Sequence, residues 1–402
     1  MQDRTMASTI GWLDTDSEER RKMMEVVELF RESGTVDELG TGSIRDTISD
    51  ALFPGTSILH GRLRYVLFIP WLLQRAAHKP TPPQMSVEFR NLEIRLISSL
   101  EEGGETLFVI GIAARSTLKR TPSVLHWSAL SGWGILSSNL SPDAYFRRQA
   151  DYRALVARTA APDDLEARES LPGTGIDPHL PSAPDDLLKS VRFDLTAEEE
   201  SYLSDRLTES AAGSLLAWLI NNPPGNRPDS VWNLDNLRDA PERLAELIDH
   251  GRRFQTAIFG APLLYNLMLA EASDDDDRVD QYRKRLADWQ DEIAATAVLD
   301  HWDRRSWWRM LRFYNPRLRR LTSAFVDSWL TRIDRDANVA DSGETRSLIR
   351  RRERQIKGGR ARLVNQAALD RWSGASGVIR YDYRWPIARR HLDDLYAARS
   401  RS

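Results

Sequence analysis

Apolar residues recur at helical spacing along most of the chain. Residues 17–32 place Met23, Val26, Val27 and Phe30 on one face, and a polar turn follows. A glycine turn at Gly40 and Gly42 leads into a helix opening with Ser43, Ile44, Arg45 and Asp46, which Pro54-Gly55 stops. A further apolar helix is predicted over 57–77, a linker at Lys79 to Pro83, a helix over 87–100 and a turn at Gly103-Gly104. Residues 106–113 fit strand or helix, with helix preferred. Four prolines between Leu171 and Pro184 exclude regular structure there, and Thr196-Ala197-Glu198-Glu199 is a capping box announcing a helix over 197–209. Residues 221–229 and 272–277 read as loops. The last third reads as long helices capped by Gly358-Gly359, then an alternating stretch, 378–385, that suits a hairpin or edge strand. The fold class expected is mainly α, a two-lobed helical protein with a small β element near the C-terminus. The expected division is 1–175, 176–275 and 276–402, because 402 residues exceed what single cores usually hold.

Composition sharpens this picture in two ways. The chain has no cysteine, which excludes disulfides, thiolate metal sites and a cysteine nucleophile and suggests a reducing, cytoplasmic setting. No apolar run approaches a membrane span, and the N-terminus carries no basic-then-apolar signal, so a soluble, unanchored protein is expected. The net charge of −3 conceals an acidic cluster at Asp274 to Asp277 and a crowd of arginines after His301.

Those arginines are ordered. Around Trp307, residues Trp307, Met310, Leu311 and Tyr314 share one helical face while Arg305, Arg309 and Arg312 share the other. A second stripe runs through Arg346, Arg350, Arg354 and Lys357, thickened by Arg351, Arg352, Arg360 and Arg362 and opposed only by Glu344 and Glu353. Such density repels itself and suits an anionic partner, DNA above all, although a solvated face or pairing with Asp274 to Asp277 would also satisfy it. Of the six C-terminal tryptophans, Trp307 and Trp329 read as packing; Trp372 and Trp385, in glycine-rich or extended sequence, are the better candidates to stack on a base. With Arg384, these complete the candidate DNA contacts.

Candidate chemistry is narrow. The seven histidines are scattered without metal-ligand spacing, and no phosphate-binding glycine loop or nucleophile elbow is present, so no metal and no cofactor is expected. Leu171-Pro172-Gly173-Thr174-Gly175 imitates the hairpin of helix-hairpin-helix glycosylases, with Asp194 at a fitting distance. Pro178, Pro181 and Pro184 forbid the second helix, so it reads as a linker. What remains is a carboxylate with arginine and aromatic company: Asp46 as a candidate water-activating group, with Arg62, Arg64, Tyr65, Lys119, Arg120 and Trp127 as candidate substrate contacts. The plainer reading of Asp46 is a residue near a helix start that stabilises its own dipole.

Ile10-Gly11-Trp12-Leu13-Asp14, Gly42-Ser43-Ile44-Arg45-Asp46, Phe53-Pro54-Gly55-Thr56-Ser57 with Arg62-Leu63-Arg64-Tyr65, Trp127 with Trp133-Gly134-Ile135, and Trp372 to Gly377 with Tyr383-Arg384-Trp385 carry a resemblance over nearly the whole chain. It resembles an uncharacterised bacterial family found near phage-defence genes (DUF6361-like), and through it the Brig-type anti-phage DNA glycosylases. The resemblance implies excision of glucosylated hydroxymethylcytosine from phage DNA, leaving abasic sites without a cofactor, and neighbouring defence proteins as partners. The alternative class is a nucleic-acid-binding subunit that performs no chemistry.

Overall fold

The computed structural model describes residues 37–137, 140–158, 175–335 and 338–401. The helix expected over 17–32, the Ile10 to Asp14 motif and Leu171 to Thr174 lie outside them. The described residues form fourteen α-helices and short 3-10 turns, with one isolated bridge, Leu136 to Ile176, and no sheet. The mainly helical expectation holds. No helix among the described residues is long and apolar enough to cross a membrane.

The chain divides into two compact units, each discontinuous in sequence. Unit 1 joins residues 37–47 to 249–381, and unit 2 joins 48–248 to 382–401. Two of the crossings fall inside helices: within α1 (Gly42–Leu52) and near the start of α8 (Glu242–Ala272).

In unit 2, α2 (Tyr65–Ala76) buries every residue but Gln74 and Arg75, the signature of a helix apolar all round and therefore central. It packs on α3 (Pro82–Glu102) and α4 (Pro122–Gly132), and α3 packs on α5 (Pro142–Arg158). The predicted helix over 57–77 begins only at Tyr65: the amide of Leu63 donates to Asp394 Oδ2 (2.9 Å) and that of His60 to the Ser57 carbonyl (3.0 Å), so the chain turns first. Conversely α3 starts at Pro82, because prolines in a first turn forfeit no ladder bond. Residues 106–113 are neither helix nor strand; Phe108 (φ 63°) adopts a left-handed conformation that interrupts both. The capping box closes as expected: Thr196 Oγ1 accepts from the Glu199 amide and Glu199 accepts from the Thr196 amide, starting α6 (Ala197–Ser210). With α7 (Leu215–Asn221), α6 receives the C-terminal helix α14 (Trp385–Arg401).

The expected β element over 378–385 does not form. Tyr383 (φ 52°) and Arg384 (φ 64°) turn the chain, the Arg384 amide donates to Asp382 Oδ1 (2.9 Å), and Trp385 opens α14. Alternation alone supplied the expectation, and among the described residues no strand pairs with it.

Unit 1 is built on α8 with α9 (Asp276–Thr296), α10 (Arg304–Tyr314), α11 (Arg320–Arg335), α12 (Gly343–Lys357) and the single turn α13 (Gln366–Leu369). Pro262 within α8 removes one ladder donor. One to two turns before it, the indoles of Trp289 and Trp329 donate to the carbonyls of Thr256 (2.7 Å) and Ala257 (2.8 Å). Trp307 and Trp329 are both fully buried, as their helical spacing suggests.

Candidate nucleic-acid interface

From Arg304 to Val326 unit 1 carries seven arginines and no carboxylate. Asp303 caps α10, its Oδ1 accepting from the amides of Arg305 and Ser306 (3.0 Å each). Those amide bonds hold its carboxyl below the usual range. The 3.6-residue repeat then buries Trp307, Trp308 and Leu311 and turns Arg305, Arg309, Arg312 and Phe313 to solvent. Arg317, Arg319 and Arg320 continue the exposed cations through the turn into α11. Of these, Arg312 lies 6.0 Å over the Trp308 ring.

Helix α12 sorts its cations. Arg350, Arg351 and Arg354, and Arg360 beyond it, are exposed without an ion pair among the described residues. Arg346 is paired with Glu271. Arg352 is buried and donates to the carbonyls of Leu39 (2.8 Å), Gly40 (3.2 Å) and Leu321 (3.2 Å). Lys357 and Arg362 both meet the buried Glu38. Buried Glu353 accepts from Tyr265 Oη (2.6 Å), from Lys357 (3.2 Å) and from the amides of Arg362 (2.8 Å) and Leu363 (3.1 Å), so it shapes the chain after the helix. At that helix end stands Gly358, as expected, with φ 57° and ψ −129°, a positive-φ conformation that glycine accommodates. Trp372 is buried, its indole donating to Asn266 Oδ1 (3.1 Å).

Asp46 lies in unit 1, in the second turn of α1. Asp37 caps this helix by accepting from the amides of Thr41 (2.8 Å) and Gly42 (2.7 Å). The Asp46 side chain is 46 % exposed and pairs with Arg45, whose guanidinium lies 5.6 Å over the Tyr381 ring. The next residue, Thr47, accepts at Oγ1 from Asn315 Nδ2 (3.0 Å). That bond sets the Asp46 turn beside the arginine-bearing connection of α10 and α11. Unit 1 also holds an open polar cleft of about 460 Å³ lined by Asp327, Ser328, Thr331, Arg332, Arg335 and the first turn of α12; Asp46 does not line it.

The remaining candidates belong to unit 2, where most have partners. Arg62 pairs with Asp394 (2.6 Å), and buried Arg64 with Glu199 (2.6 Å) and the Arg192 carbonyl (2.6 Å). The Tyr65 hydroxyl accepts from the Ile110 amide (2.9 Å), and Trp127 donates to the Leu140 carbonyl (2.6 Å). Lys119 is exposed and Arg120 half-buried. Arg384 pairs with Asp50 (2.6 Å), and Trp385 is buried, donating to the Pro228 carbonyl (2.9 Å).

Unit 2 also assembles a group that scattered histidines did not advertise. His60, His126 and His391, from the turn before α2, from α4 and from α14, are buried together, with ring centroids 4.5 Å (His60–His126) and 5.7 Å (His60–His391) apart. Trp133 stands edge-on to His60 and His391, and its indole donates to the Pro54 carbonyl (3.0 Å). Gly55 (φ 78°) is required beneath that indole, since a Cβ would fall 2.2 Å from its nitrogen. Only His126 Nδ1 has a hydrogen-bond partner of normal geometry, the Pro122 carbonyl (3.0 Å). The ring planes lie 14° and 21° apart, so their in-plane lone pairs do not converge; among the described residues no group of side chains is arranged to hold a metal ion. Burial pushes His126 down to about 4 and His391 to about 3, and burial with its two histidine neighbours lowers His60 further.

Of the motif residues, Phe53, Thr56, Tyr65, Trp133 and Trp385 are buried in unit 2, and Trp372, Gly374 and Ser376 in unit 1. No curated protein and no solved structure matches the sequence. A family model does match, over residues 7–399, and the chain therefore belongs to that family, a family of unknown function (DUF6361).

Proposed function

We propose that the chain binds DNA through the arginine face of unit 1 and acts there as a metal-independent DNA glycosylase on a modified, glucosylated hydroxymethyl cytosine, in defence against phage. The observation that carries this reading is the carboxylate-free run from Arg304 to Val326, whose turn is bonded through Asn315 to Thr47, next to Asp46. The arginines hold backbone phosphates, a contact that depends on charge and not on sequence. Asp46, held by Arg45, steers a water to the sugar carbon as the base departs, and its negative charge offsets the positive charge that builds on the sugar ring.

The test is incubation of the purified protein with glucosylated phage DNA and with unmodified DNA, with and without EDTA. Alkali-labile sites in the modified DNA alone, unaffected by EDTA and lost in Asp46→Asn while DNA binding persists, are expected. Intact modified bases with no breaks after alkali would overturn the glycosylase reading.

A second reading, a nucleic-acid-binding subunit without chemistry, is favoured by one observation: excision needs a pocket around the extruded base, and Asp46 does not line the polar cleft of unit 1. It expects salt-dependent binding and no alkali-labile product.

A further inference from the structure

We propose that Phe313 is a stacking platform for an unpaired base, so that the arginine face of unit 1 selects single-stranded or locally opened DNA over intact duplex. The inference rests on the reading of that face as a nucleic-acid surface and adds which form of nucleic acid it takes.

Phe313 is 70 % exposed, although α10 has a buried face that already accommodates Trp307, Trp308 and Leu311. It continues the stripe Arg305, Arg309, Arg312 at positions i, i+4, i+7 and i+8, each step of four residues advancing about 6 Å along the axis. Tyr314 stands edge-on to its ring at 5.3 Å, which restricts how the ring can turn. Arg317 follows across the turn, and two further exposed apolar side chains of unit 1, Leu321 (62 %) and Ile356 (41 %), lie on the elements that carry Arg320 and Arg354.

An intact duplex offers such a face only phosphates and base edges, because each base is covered by its neighbours. A phenyl ring among the cations then gains nothing. A strand with unpaired bases offers phosphates and bare base faces at once, which is what a row of guanidinium groups ending in an exposed phenyl ring matches. An enzyme that works on an extruded base needs the same preference, and the Asn315–Thr47 bond puts this platform two residues from the anchor of the Asp46 turn.

Fluorescence anisotropy with a labelled oligothymidine of about twelve nucleotides, and with a duplex of the same length, tests this on the full chain. Phe313→Ala is expected to weaken single-strand binding on the order of tenfold and leave duplex binding within about twofold, with Phe313→Trp restoring it. Arg309→Gln is expected to weaken both. Since Phe313 is exposed, unchanged thermal unfolding of each variant checks that the fold is intact. Equal losses on both probes, or none on either, would overturn the stacking role while Arg309→Gln leaves the nucleic-acid reading standing. No salt-dependent binding by the unaltered chain to either probe would remove both.

Discussion

Two sets of arginines, one from each unit, live differently. In unit 2, Arg62, Arg64, Arg384 and Arg399 each face a carboxylate at 2.6–2.7 Å. In unit 1, Arg305, Arg309, Arg317, Arg319, Arg320, Arg350, Arg351, Arg354 and Arg360 are exposed with no ion pair among the described residues. The same side chain is thus structural in the first set and available in the second, and within unit 1 itself Arg346, Arg352 and Arg362 are held as the first set is. Density along the sequence does not separate them; what does is whether a carboxylate or a free carbonyl from a distant segment reaches the guanidinium.

Removing a structural arginine sharpens that contrast most. Arg64 and Glu199 have side chains only 6 % and 5 % exposed, so Arg64→Met strands a buried carboxylate and is expected to cost about 3–5 kcal/mol. Denaturant unfolding measures it, and a change below ~1 kcal/mol would place this pair with ordinary surface pairs. The histidine group gives an effect of similar order through pH. Its folded values lie below that of an unfolded histidine, about 6.5. The unfolded chain therefore takes up protons first, and stability present above pH 6.5 is lost as pH falls toward the folded values. For His126, lowered to about 4, this amounts to roughly 3 kcal/mol by pH 4. The charged neighbours acting on the group, Arg62, Arg384 and Arg390, add repulsion. His391→Leu is expected to flatten the decline of unfolding temperature between pH 7 and 4; an unaltered slope would mean the ring is not held neutral.

The available arginines give the smallest effect on stability and the clearest on binding. Replacing Arg350, Arg354 and Arg360 by glutamine is expected to leave unfolding within about 0.5 kcal/mol per site. The slope of log affinity for DNA against log salt should fall by up to about 3. Binding lost at all salt concentrations together with a lowered unfolding temperature would instead make these arginines part of the scaffold.

Local signals in the sequence translated directly. The Thr196–Glu199 box, the prolines of 221–229, the Gly358 cap and the two-faced pattern of α10 each specify their own backbone or face within a few residues. What failed to translate depends on distant partners. Residues 378–385 alternate as a strand would, yet a strand exists only when another pairs with it. Lys357 and Arg362 looked like members of a DNA-facing stripe, but Glu38, over three hundred residues earlier, meets both. Trp372 and Trp385 sit in sequence that suggests exposure, and the carbonyl groups that bury their indoles belong to Asn266 and Pro228. The histidine group is the extreme case: positions 60, 126 and 391 share no spacing that could announce a shared site.

Because α1 and α8 each pass from one unit into the other, and the chain crosses again near residue 381, neither unit is a single stretch of the gene. A recombination event that copied only 48–248 or only 249–381 would take most of one hydrophobic core and complete neither. The family model, matching residues 7–399, accordingly takes in segments of both units.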